Sequence, residues 1–595
     1  MAKASLTRRK FLAASATAAA ATMSALLSGC GSGGIGSASI ETSNREETYD
    51  ADGTSEATSP EIDATDLEMV ETSGTIAYAL NRSRGDLNPW GPDALTAACV
   101  NLPVLEGLYE IDPITLEAYP ALAAGAPTEI TTNVFDIRLR EYALFSDGSP
   151  VTADDVVASF ELACNSKYGA FAELLSFIAE MQATSEDIVT VVAKVPMSDL
   201  LERRLALVKV VPAATKSAQL SDEVLGTGPW RLDSIDDERA VYARNTYYTG
   251  SLPALVDSLT CFFVPESQAR ATAVASGDVQ AIEDASLISI GASAEEDQTD
   301  GGAEETETAE DVNGTESEDG EGASADSIDL SKLADVSIET VAGFNPALLV
   351  FNTRKAPFDD VRVRQAVMYA INSTAIASDI FGESAHEATC FLDEGNPDYQ
   401  KASLTYSADQ DKARSLLEAA GVTDLSFVLD IGQEPWMEPT AAKIAQNLEE
   451  IDIAVEVHSF PLEELYRNYM DTEDEVQAFS VALTTCDPTL LGRDADLIMR
   501  WFFSNDTWMK KRTGWKGDAA HKELERLMTK AATTEENERD AVWKEAFDLV
   551  AEQVPLYPIL HCDRATAFRP NQLDGFEPSS APGIFMLDVS VPDKK

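Results

Sequence analysis

Residues 139–160 read LREYALFSDGSPVTADDVVASF. Phe135, Ile137 and Leu139 lead into this stretch with the alternation of a half-buried strand, predicted over 134–139. Asp147-Gly148 then supplies turn chemistry, and Thr152 stands where a helix cap belongs, ahead of Val156, Val157 and Phe160. Asp154 and Asp155 fall in the first turn, where the helix dipole favours negative charge. A strand, a tight turn and a capped helix in direct succession point to an α/β protein.

The same alternation of signals continues in both directions. Ile76, Tyr78 and Leu80 share one face of a strand predicted over 75–80, and further strands are expected at 187–195, 425–431, 453–457 and 479–483. After the strand at 425–431 comes a Trp436-bearing loop (QEPWMEP, 433–439). Ahead of that strand, Ser407 and Gln410 have the spacing of a capping box. Ala413, Leu416, Leu417 and Ala420 form the apolar stripe of that helix, and Gly421 is its stop.

The chain has 595 residues, more than one hydrophobic core usually serves, and its 44% apolar content is ample for two. With 44 basic against 102 acidic side chains, it lacks the basic stripe that nucleic acid requires. Catalytic signatures are missing as well. The four histidines, His386, His458, His521 and His561, belong to no H-E-x-x-H motif, and the sequence carries no G-x-S-x-G elbow or P-loop. In His561-Cys562-Asp563, neighbouring side chains on a strand point to opposite faces, so they cannot converge as a triad. No cofactor and no metal site is expected, and the chain is read as a non-enzyme.

The amino terminus has a different composition. Lys3, Arg8, Arg9 and Lys10 precede an Ala-rich apolar run, the pattern of an export signal. Arg8 and Arg9 lie in a twin-arginine-like context. Leu27-Ser28-Gly29-Cys30 resembles a lipobox, which would make Cys30 the lipidated first residue after cleavage and the membrane anchor. A stalk poor in apolar residues is expected over 31–73, and 292–327, with 14 acids and no base, reads as a disordered surface insertion. Six cysteines remain for the mature chain, with disulfides and buried free thiols both open.

The stretch at 139–160 closely resembles the central signature of family 5 extracellular solute-binding proteins, the peptide- and nickel-binding components of ABC importers. Other segments fit the same family in order: Leu87-Asn88-Pro89, VLEGLYE (104–110), GTGPW (226–230), TAVASGDV (272–279), FNTRKAPFDDVRVRQAVMYAIN (351–372) and VPLYPILHCDRATAF (554–568). The resemblance implies a bilobal α/β fold of the periplasmic-binding-protein type with an additional domain in one lobe. The lobes would be 74–108, 226–343 and 556–595 for lobe I, 109–225 for the extra domain and 344–555 for lobe III. It implies a monomer that captures a peptide or other small molecule outside the cell and passes it to permease subunits. Nickel chelate, haem, opine or oligosaccharide are alternative ligands for the same role, and a surface enzyme or chaperone is a more distant one.

By the same resemblance, an acid in the loop FSVALTTCDPTLLGRDADLIMRWFFSND (479–506) would receive a ligand ammonium group. Asp487 is the first choice and Asp494 the second. Thr485-Cys486 stand where the family has an aromatic, and a cap for the turn at Pro488 is an equal alternative role for Asp487. Trp436 and Trp501 are candidate aromatic walls, with burial in the core as the alternative for each. Arg362 and Arg364 are read as fold residues beside Asp359 and Asp360. Gly226 and Gly228 are read as shaping a strand that crosses between lobes.

Overall fold

The computed structural model describes residues 72–592, apart from 169, 197–199, 222, 286–327, 473–478 and 535. The export signal with Arg8 and Arg9, the lipidation site Cys30, nearly all of the stalk and the acidic insertion lie outside the described residues.

Two large mixed sheets organise the chain. In the first, seven strands run in the spatial order Ser337–Val341, Arg564–Phe568, Ala281–Ile282, Thr75–Leu80, Ser258–Phe263, Arg239–Arg244 and Trp230–Ile235. Thr75–Leu80 pairs parallel with Ser258–Phe263 and with Ala281–Ile282. The second sheet has six strands in the order Ala385–Glu387, Leu556–Cys562, Pro346–Phe351, Val481–Thr484, Ser426–Gly432 and Ala454–Phe460. Pro346–Phe351 and Leu556–Cys562 are buried along their whole length, as central strands covered on both faces must be. A third, four-stranded antiparallel sheet lies within 128–193, in the order Thr128–Thr131, Val134–Arg138, Ile188–Ala193, Ile178–Ser185.

The chain passes between the two large sheets through very short connections. Ser337–Val341 of the first is followed by Pro346–Phe351 of the second, and Leu556–Cys562 of the second by Arg564–Phe568 of the first, with Asp563 alone between them. The two crossings are tied together where Cys562 N donates to Asn345 O at 2.9 Å. A pair of short, adjacent connections is the geometry of a hinge.

Most sequence-expected strands lie within one or two residues of the observed ones; the strand at 453–457 extends to Phe460. In the opening stretch, Gly148 has φ +89, which a Cβ would strain, so the D-G turn needs glycine there. Thr152 caps the helix Ala153–Cys164 through a full capping box: its hydroxyl accepts from Asp155 N, while the Asp155 carboxylate accepts from Thr152 N at 2.8 Å. Thr152→Ala is expected to lower stability by about 1 kcal/mol in a denaturant melt. The helix Gln410–Ala420 departs from expectation at its start, because its cap is Asp409, whose carboxylate accepts from Lys412 N at 2.9 Å. Asp409 sits three residues before that amide, and a carboxylate accepts more strongly there than the hydroxyl of Ser407 could two residues upstream. Gly421 ends the helix in the left-handed conformation.

Gly226 and Gly228 lie against residues 103–104, with Gly228 N donating to Val104 O at 2.9 Å. A Cβ at Gly226 would stand 2.0 Å from Val104 O, a backbone atom that cannot swing aside. Gly226→Ala is therefore expected to lose about 3 kcal/mol or more, read as a fall in the thermal midpoint. Arg362 pairs with Asp360, whereas Arg364 donates to the carbonyls of Phe358, Gln553 and Val554. The six described cysteines, Cys99, Cys164, Cys261, Cys390, Cys486 and Cys562, are free thiols.

Candidate functional site at the junction of the sheets

Asp487 follows the strand Val481–Thr484 of the second sheet and is 8% exposed. Its Oδ1 accepts from Thr489 N at 2.9 Å and Thr489 Oγ1 at 2.6 Å, which fixes the turn at Pro488. Its Oδ2 accepts from Arg564 Nη2 at 2.9 Å. Burial pushes the Asp487 carboxyl pKa up, against the pull of Arg564.

Arg564 opens the strand that returns to the first sheet, so this ion pair spans the two sheets directly. Its Nη1 also lies 2.7 Å from Asp284 Oδ1 and 3.5 Å from Glu283 Oε1. Glu283 in turn accepts from Arg82 Nη2 at 2.9 Å, from Asn81 N at 3.1 Å and from Gly583 N at 2.8 Å. Burial by itself would raise the Glu283 carboxyl, but Arg82 and Arg564 together hold it below the ordinary carboxylate range. Glu434, in the Trp436 loop of the second sheet, is half-buried beside Asn81 and Asp284, and burial followed by the Asp284 charge raises its carboxyl.

A second buried cluster joins the loop after Asp487 to the segment 109–225. Arg204, on the short helix Leu201–Leu205 and fully buried, grips Asp494 with both terminal nitrogens, at 2.9 and 2.6 Å, and reaches Asp496 at 2.9 Å. Asp494 also caps the helix Ala495–Phe503 by accepting from Leu497 N at 3.1 Å. Burial opposes ionisation of Asp494, but Arg204 outweighs it and holds the carboxyl down at about 2. One helix face further on, Trp501 meets Phe171 edge-to-face with ring centroids 6.0 Å apart. Trp436 instead packs on Phe381 at 5.8 Å and is 5% exposed.

Beside these clusters lies an open cleft. Ala98 and Leu102 form one wall, Glu110 to Leu116 a second, and Ala206 with Lys209 a third. Thr489, Leu490 and Leu491 close it from the Asp487 loop, and Ala581 with Phe585 from the C-terminal segment. Thr489 is shared with the Asp487 turn, and Gly583, bonded to Glu283, lies between Ala581 and Phe585, so the cavity abuts the charged cluster. Its lining is mainly apolar, with Lys209 paired to Glu110 and the Thr489 hydroxyl as polar groups. An apolar concavity with a few fixed polar groups binds small molecules.

Cys486, the thiol next to Asp487, is pushed up to about 11 by burial and is protonated at neutral pH, the wrong state for a nucleophile. His561, within the strand Leu556–Cys562, is buried and lowered by that burial, with Nε2 3.3 Å from Cys390 O. Among the described residues, no group of three His, Cys, Asp or Glu side chains could hold a metal ion, and no helix is long and apolar enough to cross a membrane.

Asp487 thus lies in the cluster that spans the two sheets, Asp494 and Trp501 meet the segment 109–225, and Trp436 packs on Phe381. Sequence reading named none of Arg564, Glu283, Arg82, Arg204, Glu110 or Lys209. Arg564 and Glu110 alone lay in quoted family segments, Arg564 directly after His561-Cys562-Asp563 and Glu110 at the end of VLEGLYE.

The family model for bacterial extracellular solute-binding proteins, family 5 (middle region), matches residues 117–507. A Brucella ovis protein provisionally named an ABC transporter peptide-binding protein is 28% identical over 293 residues, 47% of this chain and 48% of that protein, so the chain spans about half the length of this curated relative. The Escherichia coli dipeptide-binding protein is 22% identical over 536 residues, 83% of this chain and 90% of that protein. In structure, the Helicobacter pylori periplasmic binding protein DppA in complex with the peptide STSA superposes with a TM-score of 0.71 at 18% identity, covering 87% of this chain and 98% of that one, a likeness that shows the fold to be the bilobal α/β kind. With its two-sheet fold and a family match over residues 117–507, about two thirds of its length, the chain belongs to family 5 of the bacterial extracellular solute-binding proteins.

Proposed function

We propose that this protein captures a short peptide or peptide-like solute at the sheet junction and delivers it to the permease of an ABC importer. The observation that carries the reading is an open cleft walled jointly by residues of 98–116, 206–209, the 489–491 turn and 581–585. Residues from both sides of the hinge wall it, so a ligand there would favour the closed arrangement, and that population shift is what a permease can sense.

In this reading 74–108, 226–343 and 556–595 move as one lobe carrying 109–225, and 344–555 as the other. Asp487 orders the turn that meets the ligand. Asp494 and Trp501 seat the helix Ala495–Phe503 against 109–225, and Trp436 backs the loop that holds Glu434. The protein acts as a monomer, exported through the Arg8-Arg9 signal and held at the outer face of the membrane by lipid on Cys30.

Native mass spectrometry of the freshly isolated protein tests the proposal. The expected result is a retained organic molecule whose fragments are amino acids. A retained sugar, haem or metal chelate would redirect the same transport role to that ligand, and a chain that carries nothing and takes up no peptide from a library would refute the peptide reading.

A further inference from the structure

The Asp487–Arg564 cluster bears on what end of a ligand it can accept. Three donors already occupy the Asp487 carboxylate: Thr489 N, Thr489 Oγ1 and Arg564 Nη2. Its negative charge is matched at hydrogen-bond distance by a guanidinium that is 5% exposed. An incoming ammonium group would have to displace Arg564 or sit against a neutral pair, and either arrangement forfeits most of the attraction a lone buried carboxylate offers.

Two donors in the same cluster lack what a ligand could bring. Arg564 Nε and Arg82 Nε are buried without a hydrogen-bond partner. A buried N–H with no acceptor is costly, and an acceptor oxygen supplied by a ligand would relieve that cost. An ammonium group has only donors and cannot do so.

We infer that the ligand turns an acceptor oxygen of an acyl or carboxylate group toward the Asp487–Arg564 cluster, and that a free α-ammonium is not required there. The ligand class is therefore a peptide-like molecule whose end at this cluster is blocked or acidic. Arg564 is the specificity-determining residue, acting both by neutralising Asp487 and by offering its Nε–H. The inference rests on the peptide-like reading of the site.

Isothermal titration of the full exported chain with a set of apolar dipeptides, each as the free amine and as its N-acetyl form, is the test. The acetylated forms should bind at least as tightly as the free ones. Arg564→Gln, which leaves Asp487 without its cation, should shift the ratio toward the free amine by about 10-fold, the scale of one charge-assisted hydrogen bond. Should that variant not fold, the wild-type ratio alone decides. A wild-type preference for the free amine of about 5-fold or more overturns the inference, because an unblocked ammonium is then being recognised. Silence from both forms across the set overturns the peptide reading itself, and this inference with it.

Discussion

Replacing Arg204 by alanine is expected to cost about 3–5 kcal/mol of folding stability, because it leaves two carboxylates buried without their cation. Asp494 and Asp496 are 4% and 5% exposed, and Arg204 is the group that binds both. Arg500, on Asp496 at 2.8 Å, gives partial compensation to that acid alone. The cost should depend on pH in a defined direction. In the folded protein Asp494 titrates at about 2, below the roughly 3.9 of an unfolded aspartate, so its stabilisation is present above pH 4 and is lost as pH falls toward 2. Urea melts should accordingly show the gap between wild type and Arg204→Ala narrowing between about pH 4 and pH 2. A gap that stays constant over that window would mean the ion pair contributes little.

Arg564→Ala should be comparably damaging, again about 3–5 kcal/mol, since Asp487 and Asp284 would lose the cation at ion-pair distance and Glu283 would keep Arg82. Here acid should help. Burial already raises the Asp487 carboxyl with Arg564 in place, and removing the cation raises it further. A buried carboxyl whose folded pKa is raised loses stability as pH rises, so the variant should melt closer to wild type at pH 5 than at pH 8. Thermal midpoints of the two proteins at those pH values are the readout, and a difference that grows on acidification would contradict the assignment. The two variants also separate two roles: Arg204 joins 109–225 to the helix Ala495–Phe503, while Arg564 joins the two large sheets at the hinge.

These two side chains also mark where the sequence stopped being informative. The strand Thr75–Leu80 was legible to the residue, because its large side chains Ile76, Tyr78 and Leu80 alternate with small ones, a period of two that survives without tertiary context. The Thr152 cap was legible for a similar reason: a hydroxyl and an acid three residues apart satisfy backbone donors locally. At Ser407 the same logic chose a residue two positions early, since Asp409 offered a stronger acceptor and spacing alone does not rank them. Family resemblance drew attention to the loop holding Asp487, Asp494 and Trp501, whose side chains the fold divides between two buried clusters.

What resemblance and spacing could not supply was the partners. Arg564 lies 77 residues from Asp487 and Arg204 lies 290 residues from Asp494. Both pairings arise only once the chain crosses between sheets and the segment 109–225 folds back, and nothing in local periodicity encodes that. The polar wall of the cavity is another such case. Lys209 reaches Glu110 because the backbone at Lys209 bridges Gly107, a contact between segments about a hundred residues apart. A charged residue in a sequence declares its sign; the fold decides whether that sign is spent internally or left for a ligand.

The most direct measurement is a crystal structure of the protein as isolated, never unfolded or stripped of bound molecules. Electron density for a compact organic molecule bounded by Thr489, Leu491, Ala581 and Phe585, touching both sides of the hinge, is the expected result. Side chains alone filling that space, with bound solute found on another surface, would contradict the account.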